Sequence, residues 1–174
     1  ALLARGFDIG KAGADGDIGP DTLKGMMKAL ERIPVLPAEP DETVSRDVLV
    51  PDDWMPKCKM ERIIVHWSAG PSRATALDRE HYHIIIQGDG TLVRGEHAIS
   101  DNVSTADDDY AAHTLRCNTG SIGVSLAGML GAVESPFQPG PDPITKQQWA
   151  LLPSVLADLC KAYGIAVTPR TVLS

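Results

Sequence analysis

Apolar positions along this chain recur with a period that changes from element to element. Leu23, Met26, Met27, Leu30 and Ile33 lie on one helical face, and Pro20 suits a first turn, so a helix is predicted from about Pro20 to Arg32. Arg62 to Trp67 (RIIVHW) is rich in β-branched residues and reads as a buried strand. It places Ile64 and His66 on one face and Ile63, Val65 and Trp67 on the other. Tyr82 to Ile86 and Thr91 to Arg94 flank Gln87-Gly88-Asp89-Gly90, whose Asp-Gly predicts a hairpin between two antiparallel strands. Ser121 to Leu126 (SIGVSL) is a further strand, with nearby glycines marking close backbone approach. A last helix opens at Thr145, where Thr145 and Gln148 form a capping box and Ile144 can staple onto Trp149. Trp149, Leu152, Leu156 and Leu159 continue its apolar stripe, Pro153 is expected to kink it, and Gly164 to end it.

The order strand, hairpin, strand, helix describes an α/β domain, with a central mixed β-sheet flanked by α-helices, over residues 59–174. Before it, residues 34–58 carry prolines at 34, 37, 40, 51 and 56 among acidic residues and read as an extended, semi-rigid linker. Val48, Leu49, Val50 and Trp54 are placed to lie along the domain. Residues 1–33 are too few to bury a core alone and read as part of a small helical module.

Composition narrows the function. The chain carries 23 acidic against 16 basic residues, net charge −7, and shows no Lys/Arg cluster, so nucleic acid is not an expected partner. Its apolar runs are far shorter than the roughly 20 residues that span a bilayer, and no basic segment leads into a hydrophobic one near the start. A soluble protein without membrane insertion or visible export signal is expected, although the first residue is Ala1 rather than Met. Cys58, Cys117 and Cys160 form neither a CxxC pair nor an even set, so reduced thiols are expected rather than a disulfide framework or zinc knuckle.

The histidines carry the candidate chemistry. His66 stands in a strand of Ile, Ile, Val and Trp that would not bury an imidazole without partners for its nitrogens, and a metal is one such partner. His81 and His83 bracket Tyr82, whose phenol could stabilise an oxyanion beside a metal-bound water. A serine nucleophile fits poorly, since Gly120-Ser121-Ile122-Gly123 lacks the spacing of a GxSxG elbow and opens a strand. The glycines at 13, 16 and 19 do not follow a strand, and no HExxH is present, which disfavours a dinucleotide site and a zinc peptidase of that type.

Taken in order, Ile64-Val65-His66-Trp67, Tyr82-His83-Ile84-Ile85-Ile86 with Gly88-Asp89-Gly90, Ala112-His113-Thr114 with Cys117-Asn118, and Ser121 to Leu126 resemble the type 2 N-acetylmuramoyl-L-alanine amidases, which include phage lysins and peptidoglycan recognition proteins. The resemblance spans about residues 60 to 165. It implies one zinc ion, peptidoglycan as partner and hydrolysis of the amide between N-acetylmuramic acid and L-alanine. His66 matches the first zinc ligand and Tyr82 the tyrosine that assists catalysis. His113 and Asn118 match substrate-groove residues, and His83 beside Tyr82 is taken with them. Ser125 stands where another branch carries a catalytic glutamate. The family's remaining zinc ligands follow the YGI-type helix end, and no histidine follows His113 here, so a C-terminally incomplete domain is expected. Asp15-Gly16-Asp17-Ile18-Gly19-Pro20 resembles a small peptidoglycan-binding module. A monomeric, prophage-type endolysin acting on the cell wall or in the periplasm is the expected setting; the alternative is a recognition protein of the same fold that binds wall without cutting it.

Overall fold

The computed structural model describes residues 48–174. The predicted helix from Pro20 to Arg32, its module and most of the linker lie outside the described residues. Strand β1 (Arg62–Trp67) is followed by helix α1 (Ala76–His81) and the hairpin β2 (Ile84–Ile86) and β3 (Leu92–Arg94). Then come a 3₁₀ helix (Ile99–Val103), β4 (Ser121–Leu126), a small hairpin of β5 (Val133–Glu134) and β6 (Phe137–Gln138), helix α2 (Lys146–Tyr163) and β7 (Val172–Leu173).

The main sheet has the order β3-β2-β4-β1-β7 and is mixed. The pairs β1–β4, β2–β4 and β1–β7 are parallel, and β2–β3 is antiparallel. Register fixes what each face carries. Ile63, Val65 and Trp67 pair with Ile122, Val124 and Leu126, while Ile84 and Ile86 pair with Val124 and Leu126. Six of these side chains join Leu152, Val155 and Leu159 of α2 in one buried cluster, with Val65 packed against it. The opposite face brings Ile64 and His66 beside Gly123 and Ser125. One face is thus a hydrophobic seat for α2, and the other is left for polar chemistry.

The capping box at Thr145 and Gln148 forms as predicted. Gln148 does more than cap: fully buried, it donates to the carbonyls of Ile86 and Ala127, 2.8 Å each, and so ties the helix start to the ends of β2 and β4. Helix α2 runs without interruption through Pro153 to its left-handed end at Gly164. Trp149, read as part of the core stripe, is instead 59% exposed, because the buried stripe runs through Gln148, Leu152, Val155 and Leu159 and leaves Trp149 about 100° round the helix from Gln148. Of the segment read as linker, Val50 is fully buried and its amide, with that of Leu49, donates to the Asp158 carboxylate of α2. The compact unit accordingly extends from Asp47 to Ser174. The three cysteines are free thiols.

Candidate active site

His66 stands near the C-terminal end of β1, and ligand sites of parallel sheets lie at such strand ends. Tyr82 reaches it from another direction. A capping box at Thr75 and Asp78 starts the short helix α1, whose C-cap is Tyr82. The predicted strand from Tyr82 therefore begins two residues later, at Ile84. The Tyr82 carbonyl lies so close to Gly95 that a Cβ there would collide with it. The rings of His66 and Tyr82 end 5.4 Å apart, tilted at 41°.

His113 comes from the loop before β4 and crosses over Gly123. A Cβ at that position would stand 2.6 Å from the imidazole Cγ, so the glycine of SIGVSL is what lets the ring lie on the strand. His113 Nδ1 is 3.2 Å from His66 Nε2, and His113 Nε2 is 3.4 Å from the Ser121 carbonyl. A carbonyl only accepts, so His113 Nε2 carries the proton. Burial, then the neighbouring His66, hold the ring's pKa down to about 4, and it is neutral at pH 7. Its Nδ1 must then accept, so His66 Nε2 donates and His66 Nδ1 keeps its lone pair for a ligand. Burial lowers the pKa of His66 too.

His83, taken from the sequence as a groove residue, is placed elsewhere. It is 2% exposed; its Nδ1 accepts from the Gly123 amide at 2.9 Å and its Nε2 donates to Asn102 Oδ1 at 3.0 Å. Desolvation, with His113 5.8 Å away between ring centres, pushes its pKa to about 3. It supports the floor beneath His113 and has no nitrogen left for a ligand. Asn118 shapes its own loop, accepting from the Thr114 amide through Oδ1, and lines the cleft that also holds His113.

Sequence reasoning missed Asn102. Fully buried, it accepts from His83 and the Ala111 amide and donates to the carbonyls of Ala111 and Asn118. Nothing in Ile99-Ser100-Asp101-Asn102-Val103 distinguishes it from a surface turn residue. Ser125 was noted only for what it replaces. Its hydroxyl is fully buried and has no hydrogen-bond partner, a state that ordinarily costs about 1–3 kcal/mol.

Two clefts meet at the histidine pair. The one on the His66 side, about 760 Å³, is lined by Trp67, Met129, Phe137, Pro143, Ile144 and Trp149. The one on the His113 side, about 630 Å³, is polar, with Thr105, Tyr110, Thr114, Arg116, Asn118 and Thr119.

The profile of the N-acetylmuramoyl-L-alanine amidases matches residues 56–173, more than half of the chain. The chain belongs to that family. No curated protein matches the sequence. Among solved structures the chain is similar to the endolysin N-acetylmuramoyl-L-alanine amidase LysCS from Clostridium intestinale URNW, with TM-score 0.43 and 17% identity over 66% of this chain and 68% of that one, a likeness too weak to carry an argument. Amidases of this family act on peptidoglycan and are generally zinc-dependent. A catalytic zinc needs three protein ligands. Among the described residues of this amidase no group of three His, Cys, Asp or Glu side chains is placed to hold a metal ion. His66 Nδ1 is one suitable donor. The described residues thus fall short of a complete zinc site. Among them, no helix is long and apolar enough to cross a membrane.

Proposed function

We propose that this chain hydrolyses the amide joining N-acetylmuramic acid to L-alanine in bacterial peptidoglycan. The observation that carries the proposal is the Tyr82 ring packed 5.4 Å from that of His66, which lines one cleft and is bonded to His113 of the other. Burial raises the phenol's pKa, so at neutral pH it keeps its proton and can donate it in a hydrogen bond. In the reaction a water oxygen bonds to the amide carbonyl carbon, the carbonyl oxygen gains negative charge, and Tyr82 donates to it. The C–N bond then breaks, and the proton lost by the water ends on the departing amine. The neutral His113, fixed over Gly123 and bonded to His66, holds that imidazole in one tautomer, and Asn118 with its loop seats the substrate beside it.

Zinc dependence belongs to the proposal, with His66 Nδ1 as the ligand supplied by the described residues. So do the wall-binding role of residues 1–33, the linker character of residues 34–46, the monomeric state and the setting of a prophage endolysin, each of which rests on the sequence.

The test measures bound zinc and release of stem peptide from purified peptidoglycan for the complete gene product and its Tyr82→Phe variant. Expected are about one zinc per chain, and for Tyr82→Phe a kcat lower by about 10²-fold with unchanged thermal stability, the size of losing one oxyanion donor. Wall binding without any release would replace this reading with a recognition protein of the same fold.

A further inference from the structure

The buried hydroxyl of Ser125 lies on the floor of the site and its position asks for a partner. Ser125 is in register with His66 on the neighbouring parallel strand, so the two side chains share one face of the sheet. On its other side Ser125 pairs with Ile85, which offers no polar group. Val124 and Leu126, the flanking residues of β4, face the core under α2. An alanine would fit this apolar setting without leaving a polar atom unsatisfied, yet a serine stands there with no hydrogen bond.

The nearest use for its proton is the phenol above it. Tyr82 leans over His66 at 5.4 Å between ring centres, and the Ser125 side chain is close enough to Tyr82 to oppose the effect of burial on the phenol. The Ser125 hydroxyl makes no hydrogen bond here, so its bond to Tyr82 would form only when substrate is bound.

Resting on the amidase reading above, we propose that Ser125 is a positioning residue: its hydroxyl donates to the Tyr82 oxygen when substrate is bound, which leaves the phenol proton no direction but the reacting carbonyl. A phenol oxygen that accepts one bond from below donates its own proton outward, so the pair converts a freely rotating hydroxyl into an aimed one. Ser125 is fully buried and cannot touch substrate, so its influence passes through Tyr82. Ser125 thereby has a role in the reaction without being a nucleophile.

The test is a double-mutant cycle on the complete gene product with Ser125→Ala, Tyr82→Phe and both together, read by kcat and KM for stem-peptide release. A parallel measurement follows the ring-Cζ resonances of labelled tyrosine in the presence of a soluble peptidoglycan fragment. The Tyr82 signal is identified by its loss in Tyr82→Phe. Expected for Ser125→Ala is a kcat lower by about 3- to 10-fold, the worth of one hydrogen bond, with KM changed less than about twofold. In the Tyr82→Phe background the same substitution should do nothing further, and in the wild-type background it should move the Tyr82 resonance and no other tyrosine's. An equal fall in both backgrounds, or a Tyr82 resonance that stays in place, would overturn the proposal. If the wild-type protein releases no stem peptide, the amidase reading is what fails, and the resonance alone decides the Ser125–Tyr82 contact.

Discussion

His66 and His83 serve the same sheet, are both neutral at pH 7, and have opposite uses. His83 is enclosed, with each ring nitrogen matched to a fixed partner, the Gly123 amide and the Asn102 carboxamide. His66 is half-buried at a cleft mouth, with one nitrogen bonded to His113 and the other left with a lone pair. Residue type does not separate these roles; the bonding of the second nitrogen does. The floor made of His83, Asn102 and Gly123 is committed to holding the sheet and its loop together, while the rim made of His66, Tyr82 and His113 keeps capacity for a ligand. The rim can stay only partly satisfied because the floor beneath it is rigid.

The largest effect that would break this contrast comes from the floor. Asn102→Ala removes four hydrogen bonds at once and leaves the His83 Nε2–H and the Ala111 amide without partners in the interior, while the Ala111 carbonyl keeps the His113 amide. A loss of about 3 kcal/mol or more is expected in urea denaturation at pH 7, since each stranded buried group costs about 1–3 kcal/mol. Tyr82→Phe should leave the same measurement unmoved while removing most activity. A variant at Asn102 as stable as the parent would mean that water replaces the carboxamide, and the floor would not be the rigid element described.

Much of this architecture is legible in the sequence where one local rule dominates. Arg62 to Trp67 and Ser121 to Leu126 are strands with the predicted bounds, because β-branched residues on a face that α2 covers leave little alternative. The capping box at Thr145 forms because its signal is complete within four residues. Helix α1 carries the same kind of signal at Thr75 and Asp78, but only six residues follow and His83 to Ile86 reads so strongly as strand that Tyr82 is drawn into it. Trp149 counts with the apolar stripe of α2, but the buried place in the first turn belongs to the polar Gln148, which an apolar count passes over. The bonds of Asn102 to residues 83, 111 and 118 are tertiary, and no local pattern encodes them. His66, Tyr82 and His113 are brought together as a set, and the sequence order of their motifs anticipates the grouping but not the tautomers.

A smaller effect sharpens the contrast by pH. The folded-state pKa values of His83 and His113, about 3 and about 4, lie below the ordinary 6.5. Between those limits the unfolded chain binds protons that the folded chain excludes, so stability falls as pH drops. The contribution is fully present above about pH 6.5 and is drawn down as pH approaches 4 and then 3, by on the order of a few kcal/mol in total. Urea midpoints at pH 7.5 and pH 4.5 should differ in that direction, and His83→Gln should reduce the difference by removing the more deeply shifted group. Equal midpoints in the parent protein would contradict the burial of both rings.

The smallest effect tests the rim from its apolar side. Phe137 on β6 is 62% exposed, yet with Trp149 and Trp67 it walls the cleft that begins at His66. An aromatic left this open adds little to folding, so Phe137→Ala should change stability by less than about 0.5 kcal/mol. Against a bound substrate the same ring would lose its remaining water contact, and its removal should raise KM about 3- to 10-fold, near 1 kcal/mol, with kcat unchanged. The pairing of outcomes is the reverse of that for Asn102, where stability falls first and activity follows only through unfolding. If Phe137→Ala lowered stability and left KM alone, the aromatic wall would belong with the floor as structure, and the substrate would be held by the polar cleft of Thr114, Arg116 and Asn118 alone.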